Sequence, residues 1–305
     1  MPNLRPLTFM LLLNGLFSTA LCASQAPKPI AAQSVRILAS LPVTYGLGAI
    51  LLKDTDVVLQ RAADANLPGS RHSAYFSGRG APNLKKLASH ADAVIGLRSL
   101  WPDDPLYPMA RRSNVRIVEV DAARPVDAGL PGIAVQAGQG VDGLDSQPWL
   151  SSNNLGRMAD VIAADLVRLA PQAKPKIERN LATLKQRLLQ LSADSEARLA
   201  KADNLGVFSL SERFNYLLGG LNLDLIQVDA RTDEQWTPEA VTRLSETLKG
   251  ADVKLVLDHR QPPEAVKSAI RRAGSTLLVL DTKSADPLTG LEDSISQVLE
   301  KLAPP

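Results

Sequence analysis

"LGVFSLSERFNYLLGGLNLDLIQVD", residues 205–229, decides how this chain is read. It opens as a short apolar strand, breaks at Ser209 and Ser211, runs into an amphipathic helix that ends at Gly219-Gly220, and closes on a second strand, "LDLIQVD". Two strands separated by a helix lie parallel, because a parallel return needs a crossover where an antiparallel one needs only a hairpin. The alternation continues with a helix over 238–248 that has proline at an early position, the strand "VKLVLD" (253–258), a helix over 263–273, the strand "TLLVLD" (276–281) and a helix over 291–302. Residues 205–303 therefore form an α/β lobe around a parallel sheet.

The same alternation stands upstream. "VRILASL" (35–41) is followed by a helical segment over 45–52, "DVVLQ" (56–60), a polar loop rich in Gly and Arg over 69–82, the helical "NLKKLASHA" (83–91), and the strands "DAVIGL" (92–97) and "NVRIVEVD" (114–121). These make a first α/β lobe over 34–150. Between the lobes, 151–201 is helical. Ile177, Leu181, Leu184, Leu188 and Leu191 recur in steps of four and three on one face, with Lys185, Gln186, Arg187 and Gln190 on the other. A helix of about 28 residues at about 1.5 Å per residue runs roughly 40 Å, the length of a domain. Fewer than four clear heptads weigh against a coiled-coil dimer. The fold class is α/β: two lobes with parallel sheets joined by a long linking helix, with a ligand cleft between them at the C-terminal strand ends.

With 305 residues, 45% of them hydrophobic and 22% charged, the chain has enough apolar residues for substantial cores. A net charge of +2 with scattered basic residues gives no electrostatic footprint for nucleic acid. Arg5, an apolar run over 7–21 and the small residues of "STALCASQA" have the order of a secretory leader over 1–23, which predicts export to the periplasm. Leu21 just before Cys22 argues against a lipid anchor. Cys22 is the single cysteine, so no disulfide forms and thiolate chemistry has no place in the exported protein.

The loops at the cleft edge carry Tyr45, Arg71-His72-Ser73, Arg98 to Trp101, Gln147-Pro148-Trp149, the turn from Ser209 to Arg213, Asp229 to Trp236, Asp258-His259-Arg260 and Asp281 to Lys283. Four segments among these and their neighbours, "SRHSAYF", "QPWLSSNNLGRMADVIAADLVRLAP", "VFSLSERFNYLLGGLNL" and "LLVLDTKSADPLTG", resemble the periplasmic metal-binding receptors of ABC importers, which deliver zinc, manganese or ferrous iron. The resemblance implies a cargo-binding role, a permease in the inner membrane as partner, and metal ligands at His72 and Asp281. Gln147 or Pro148 stands where the family has its second histidine and Ser209 where it has its third. Where many members carry Glu-Pro-Gln, this chain has His259-Arg260-Gln261. His259 or Glu212 completes a metal set only if their loops turn inward, and a second periplasmic receptor is a further source of ligands.

Arg71 adjoins the matching histidine, Arg213 follows the missing third ligand, and Arg260 follows His259. Guanidiniums repel a bare dication but suit carboxylates and phosphates, and Trp101, Tyr107, Trp149 and Trp236 offer flat faces. Arg71, Ser209, Glu212, Arg213, His259 and Arg260 are thus the candidate cargo-binding residues, with a metal chelate or siderophore as an anionic organic cargo. "SLSE" over 209–212 is also the pattern of a capping box. His90 is expected to be a surface or packing residue and Trp149 to serve in hinge packing.

No Gly-x-Ser-x-Gly elbow, cysteine nucleophile or glycine-rich phosphate loop occurs, so the chain is not expected to be an enzyme or to carry an organic catalytic cofactor. An interaction or adhesion protein on the same fold is the alternative.

Overall fold

The computed structural model describes residues 34–126, 129–135, 147–282 and 284–303. The expected leader over 1–23, with Cys22, lies outside the described residues, as does Lys283.

The first sheet is built from β1 (Arg36–Ala39), β2 (Val58–Arg61), β3 (Ala93–Gly96) and β4 (Val118–Asp121), and the second from β5 (Gly206–Ser209), β6 (Asp224–Val228), β7 (Leu255–Asp258) and β8 (Thr276–Val279). All pairs are parallel, and the spatial orders are β2-β1-β3-β4 and β6-β5-β7-β8. The two lobes repeat one topology, in which the strand order reverses beside β1 and beside β5. That reversal opens a crevice at the C-terminal strand ends, where open parallel sheets bind ligands.

Period-two side-chain alternation sorts the strand residues to two faces. Ile37 and Ala39 enter one core while Leu38 enters another with Phe76, Leu84 and Leu106. Likewise Val207, Leu255 and Leu257 share the first of these cores, and Phe208 and Val256 pack in a third with Leu244 and Ile270. Each sheet thus has a private outer core and a face that joins one core common to both lobes.

Helices α1 (Pro42–Leu51), α5 (Ser152–Leu169), α6 (Lys174–Leu199), α7 (Asn215–Gly220) and α10 (Pro287–Leu302) line that common core, while α2 (His72–Ser77), α3 (Ala81–Ala88), α4 (Leu106–Arg111), α8 (Pro238–Gly250) and α9 (Glu264–Ala273) cover the outer faces. The expected linking helix is α6, 26 residues long, with Ile177, Leu184, Leu188 and Leu199 buried. It is fastened to both lobes. Asn180 Nδ2 donates to the carbonyls of Leu51 and Lys53 at the end of α1, both at 2.9 Å, Arg187 forks onto Glu292 of α10 at 2.7 and 2.8 Å, and Arg198 Nη2 donates to Ala303 O at 2.9 Å.

Gly46 of α1 abuts the start of α10. A Cβ there would lie 2.3 Å from Pro287 Cδ and 2.8 Å from Ala285 O, so only glycine permits this approach. Among the described residues no helix is long and apolar enough to cross a membrane.

Three expectations are corrected. The segment over 69–82 is helical: a 3-10 turn (Gly69–Arg71) leads into α2, and α3 already starts at Ala81. His72 and Phe76, four residues apart, share the buried face of α2, a period that the surrounding Gly and Arg conceal. The helix after β5 is a 3-10 turn (Glu212–Phe214) followed by the six residues of α7. Finally, α10 begins at Pro287, before Leu291, because Asp286 caps it by accepting from the N–H groups of Leu288 (2.9 Å) and Thr289 (3.1 Å).

Candidate functional site

A cavity of about 380 Å³ opens between the lobes at the C-terminal strand ends. From the first lobe come the residues after β1 (Leu41, Pro42 and Val43) and the loop after β2 (Ala65 to Gly69). Gln147 and Trp149 enter from the linking segment, Arg213 from the turn after β5, Thr282 and Ser284 from the loop after β8, and Pro287 and Leu291 from α10. The walls are mostly apolar, broken by a few amides and hydroxyls and by the guanidinium of Arg213. That is the make-up of a small-molecule pocket. No histidine, aspartate or glutamate is among the described residues that line it.

The polar groups stand on fixed backbone. Gln147 precedes a 3-10 turn (Pro148–Leu150) in which Leu150 N donates to Gln147 O at 3.0 Å. Its side chain is buried, at 8% exposure for the residue, and Oε1 has no hydrogen-bond partner among the described residues. Arg213 follows a turn whose start is held by Ser211, the Oγ of which accepts from Arg213 N at 3.3 Å. Trp149 packs partly against the common core and also faces the cavity, so hinge packing is only part of its role.

His72 lies elsewhere. It is fully buried at the start of α2, its ring tilted against Phe76 with centroids 5.7 Å apart and its Nε2 3.2 Å from Leu67 O. Burial lowers its pKa, opposed by the Leu67 bond and by the charge of Asp104. Asp104 is also buried, and burial raises its pKa despite two backbone bonds, from Leu106 N to Oδ1 at 3.1 Å and from Leu97 N to Oδ2 at 3.0 Å. His72 thus holds the carbonyl behind the cavity wall and does not line the cavity. Asp281 is exposed after β8, one residue before the cavity-lining Thr282. Among the described residues no group of three or more His, Cys, Asp or Glu side chains is placed to hold a metal ion.

The three arginines are not brought together. Arg213 lines the cavity. Arg71 is exposed at the end of its 3-10 turn, and Arg260 pairs with Asp233 and donates to Arg231 O at 3.0 Å in a separate open hollow. His259 faces the same hollow, with Nδ1 3.0 Å from Ser211 Oγ and 3.2 Å from Asp258 Oδ1. Asp258 itself is buried and accepts from His259 N at 2.7 Å.

Nor does the capping box over 209–212 form. Ser209 is fully buried and donates to Ser211 O at 2.6 Å, Ser211 is the cap, and Glu212 is exposed. Trp101 is buried, Tyr107 bonds Arg111 and Trp236 lies under Arg231, so none of the three lines the cavity. His90 is exposed, as expected.

Sequence reasoning missed Asn66, Pro68, Pro287 and Gly290. The turn string "NLPG" over 66–69 was the available signal for the first two.

A family profile described as the periplasmic zinc-uptake complex component A, ZnuA, matches residues 82–303. None of the curated proteins matches the sequence significantly. Among solved structures, a crystal structure of ZnuA shares 18% identity over 89% of this chain and 100% of its own, with a TM-score of 0.65. FpvC from Pseudomonas aeruginosa in complex with Mn2+ shares 22% identity over 88% and 98%, with a TM-score of 0.66. The laminin-binding adhesin Lmb from Streptococcus agalactiae, as a mutant, shares 17% over 88% and 100%, with a TM-score of 0.63. Likeness at these identities is likeness of fold.

Proposed function

The chain belongs to the family of the periplasmic zinc-uptake component A, and from that premise we propose that it is the substrate-binding subunit of a metal-type ABC importer that carries its transition metal as an anionic chelate. The chemistry of the interlobe cavity supports this reading. A bare zinc ion asks for about four N, O or S ligands and manganese for about six oxygen-rich ones. The described lining offers no imidazole and no carboxylate, and it places a guanidinium at the wall of a space of about 380 Å³. That volume suits an organic molecule, and the guanidinium suits its negative charge.

The family description places such proteins in the periplasm, and the leader expected over 1–23 assigns this chain the same address. Its partner would be the inner-membrane permease that receives the cargo. Zinc, manganese and iron all remain within the metal class.

Titration calorimetry of the exported form with zinc, manganese and ferrous salts, and with chelates of the same metals, tests the proposal. Chelate binding is expected, weakened about 10- to 100-fold in Arg213→Ala, the scale of a lost hydrogen bond to a charged group. The family description favours one competing reading, a bare ion as cargo, for which the resemblance in sequence offers His72 and Asp281 as ligands. His72 would then have to give up Leu67 O and turn out of its core. Tight binding of a bare salt that disappears in both His72→Ala and Asp281→Ala would establish that reading and overturn the chelate.

A further inference from the structure

A second open groove, of about 570 Å³, lies between the first turns of α5, the second half of α6 and the turn after α7, and its described lining shares no residue with that of the interlobe cavity. We propose that it is a separate binding site for a small carboxylic acid with an aliphatic body, held by its carboxylate at the start of α5. The proposal is independent of the cargo reading above.

The start of α5 is unsatisfied. The helix runs 18 residues, and its first turn leaves N–H groups without helical partners. A serine in the position of Ser151 ordinarily accepts from one of them, and the extended backbone of Ser151 suits that role, yet its side chain makes no cap bond. Ser151 is nine-tenths buried, at 9% exposure, and its Oγ has no hydrogen-bond partner among the described residues. Unlike the unpaired Ser40 Oγ, it is not sealed in the interior. It faces the groove: a Cβ on Gly220, in the groove wall, would stand 3.4 Å from it. A hydroxyl and the free N–H groups of Ser152 and Asn153 thus stand together at one end of the groove. What completes the N–H groups must accept, and a helix N-terminus favours a negative acceptor.

Gly156, one turn into α5, points to the rest of the ligand. Glycine inside a helix is disfavoured relative to alanine. Its φ is ordinary, and an added Cβ would only touch Leu188 Cδ1 at 3.5 Å, so neither backbone nor crowding requires glycine here. It keeps the floor of the groove low beside Leu188 and Leu189, the latter 72% exposed. An aliphatic body laid on that floor covers both leucines. The charged walls balance, Arg157 and Lys185 against Asp160 and Glu196, with Lys185 forked onto Asp160 at 2.8 and 3.1 Å. The helix N-terminus therefore sets the sign, and its partial charge of about +0.5 suits one carboxylate better than a phosphate dianion beside Glu196.

Hexanoate titrated into the exported protein by calorimetry, with backbone amide shifts followed by NMR, tests the site. Saturable binding is expected, with the largest shifts at Ser152, Asn153 and Gly156. Hexanamide and inorganic phosphate should each bind about tenfold more weakly or less. Ser151→Ala should weaken hexanoate about tenfold, the scale of a lost hydrogen bond to a charged group, without lowering Tm. Gly156→Ala should raise Tm by about 2 °C while weakening hexanoate, and Gly156→Leu, which fills the floor, should abolish binding. Stability gained as binding is lost is a combination that a purely structural glycine does not give. N-acetyl-alanyl-leucine carries the same carboxylate on a peptide end: weaker binding than hexanoate supports the free acid, and tighter binding would reassign the site to chain termini and overturn it. Equal binding of hexanamide, shifts confined to Leu67 and Trp149 of the interlobe cavity, no saturable binding, or a Gly156→Ala Tm that falls would each overturn the inference.

Discussion

The Nε2 of His72 lies 3.2 Å from the backbone oxygen of Leu67, and since a carbonyl only accepts, the neutral ring carries its proton on Nε2. The residue at the position of a metal-ligating histidine in the resembling family thus spends its Nε2 on the wall of the cavity. Leu67 presents its other side to that cavity.

Replacing His72, itself fully buried, by leucine should leave the partly buried Leu67 O without its donor. The expected loss is about 0.5–1.5 kcal/mol, the net worth of a typical hydrogen bond, since the carbonyl is only partly buried. Urea unfolding at constant pH measures it, as a lower midpoint with an unchanged slope.

The same ring makes stability depend on acidity. Its folded pKa is lowered by burial, so below the ordinary value of about 6.5 the unfolded chain binds more protons and stability falls with falling pH. Asp104, raised by burial, acts in the opposite sense, contributing at low pH and losing that contribution as pH rises above the ordinary carboxylate value. The difference between wild type and His72→Leu reports the histidine together with its coupling to Asp104, and their gap in unfolding free energy should narrow between pH 7 and pH 5. A constant gap across that window would mean that His72 does not titrate on unfolding.

Ser211 and Glu212 separate the two accounts of the turn after β5. Ser211→Ala removes the acceptor of Arg213 N and the hydroxyl beside His259 Nδ1, which should cost about 0.5–2 kcal/mol. Glu212→Ala, at an exposed position, should stay within about 0.5 kcal/mol of wild type. Thermal melts of the two variants decide between the Ser211 cap, which requires Ser211→Ala alone to be destabilised, and the capping box of Ser209 with Glu212, which requires Glu212→Ala to be destabilised.

Gly46→Ala would push its new methyl into Pro287 and Ala285 O. Overpacking of this kind costs about 1–3 kcal/mol. Pro287→Ala removes one of the two obstacles, so the double variant should recover part of the loss, a coupling that a double-mutant cycle reads directly. Strict additivity would show that the two helices part before they clash.

Strand-helix alternation was legible because burial writes a short period into sequence. Val207, Phe208, Leu255, Val256 and Leu257 announce β5 and β7 without help from distant residues. The long apolar stripe of α6 was equally plain.

The site was harder to read, since loop side chains carry no periodicity. Gln147 and Arg213 were placed at the cleft by their position after strand or linker. Arg260 was placed there by the same logic, yet Asp233 and Arg231 O draw it away into another hollow. The inward turn of His72 depended on Phe76 and on a carbonyl five residues back, contacts that no spacing rule exposes. The orphaned oxygen of Gln147 is a property of surroundings alone.

The fastening of α6 at Asn180, Arg187 and Arg198 has a kinetic consequence. With one strut tied to the end of α1, to Glu292 and to Ala303 O, the lobes have little freedom to swing, and binding free energy is not diverted into moving them. Residence time is then governed by the rim: the few side chains that must step aside for a molecule to leave set the off-rate. The loaded and empty proteins are then expected to share nearly one silhouette, with the difference between them confined to the mouth between the lobes.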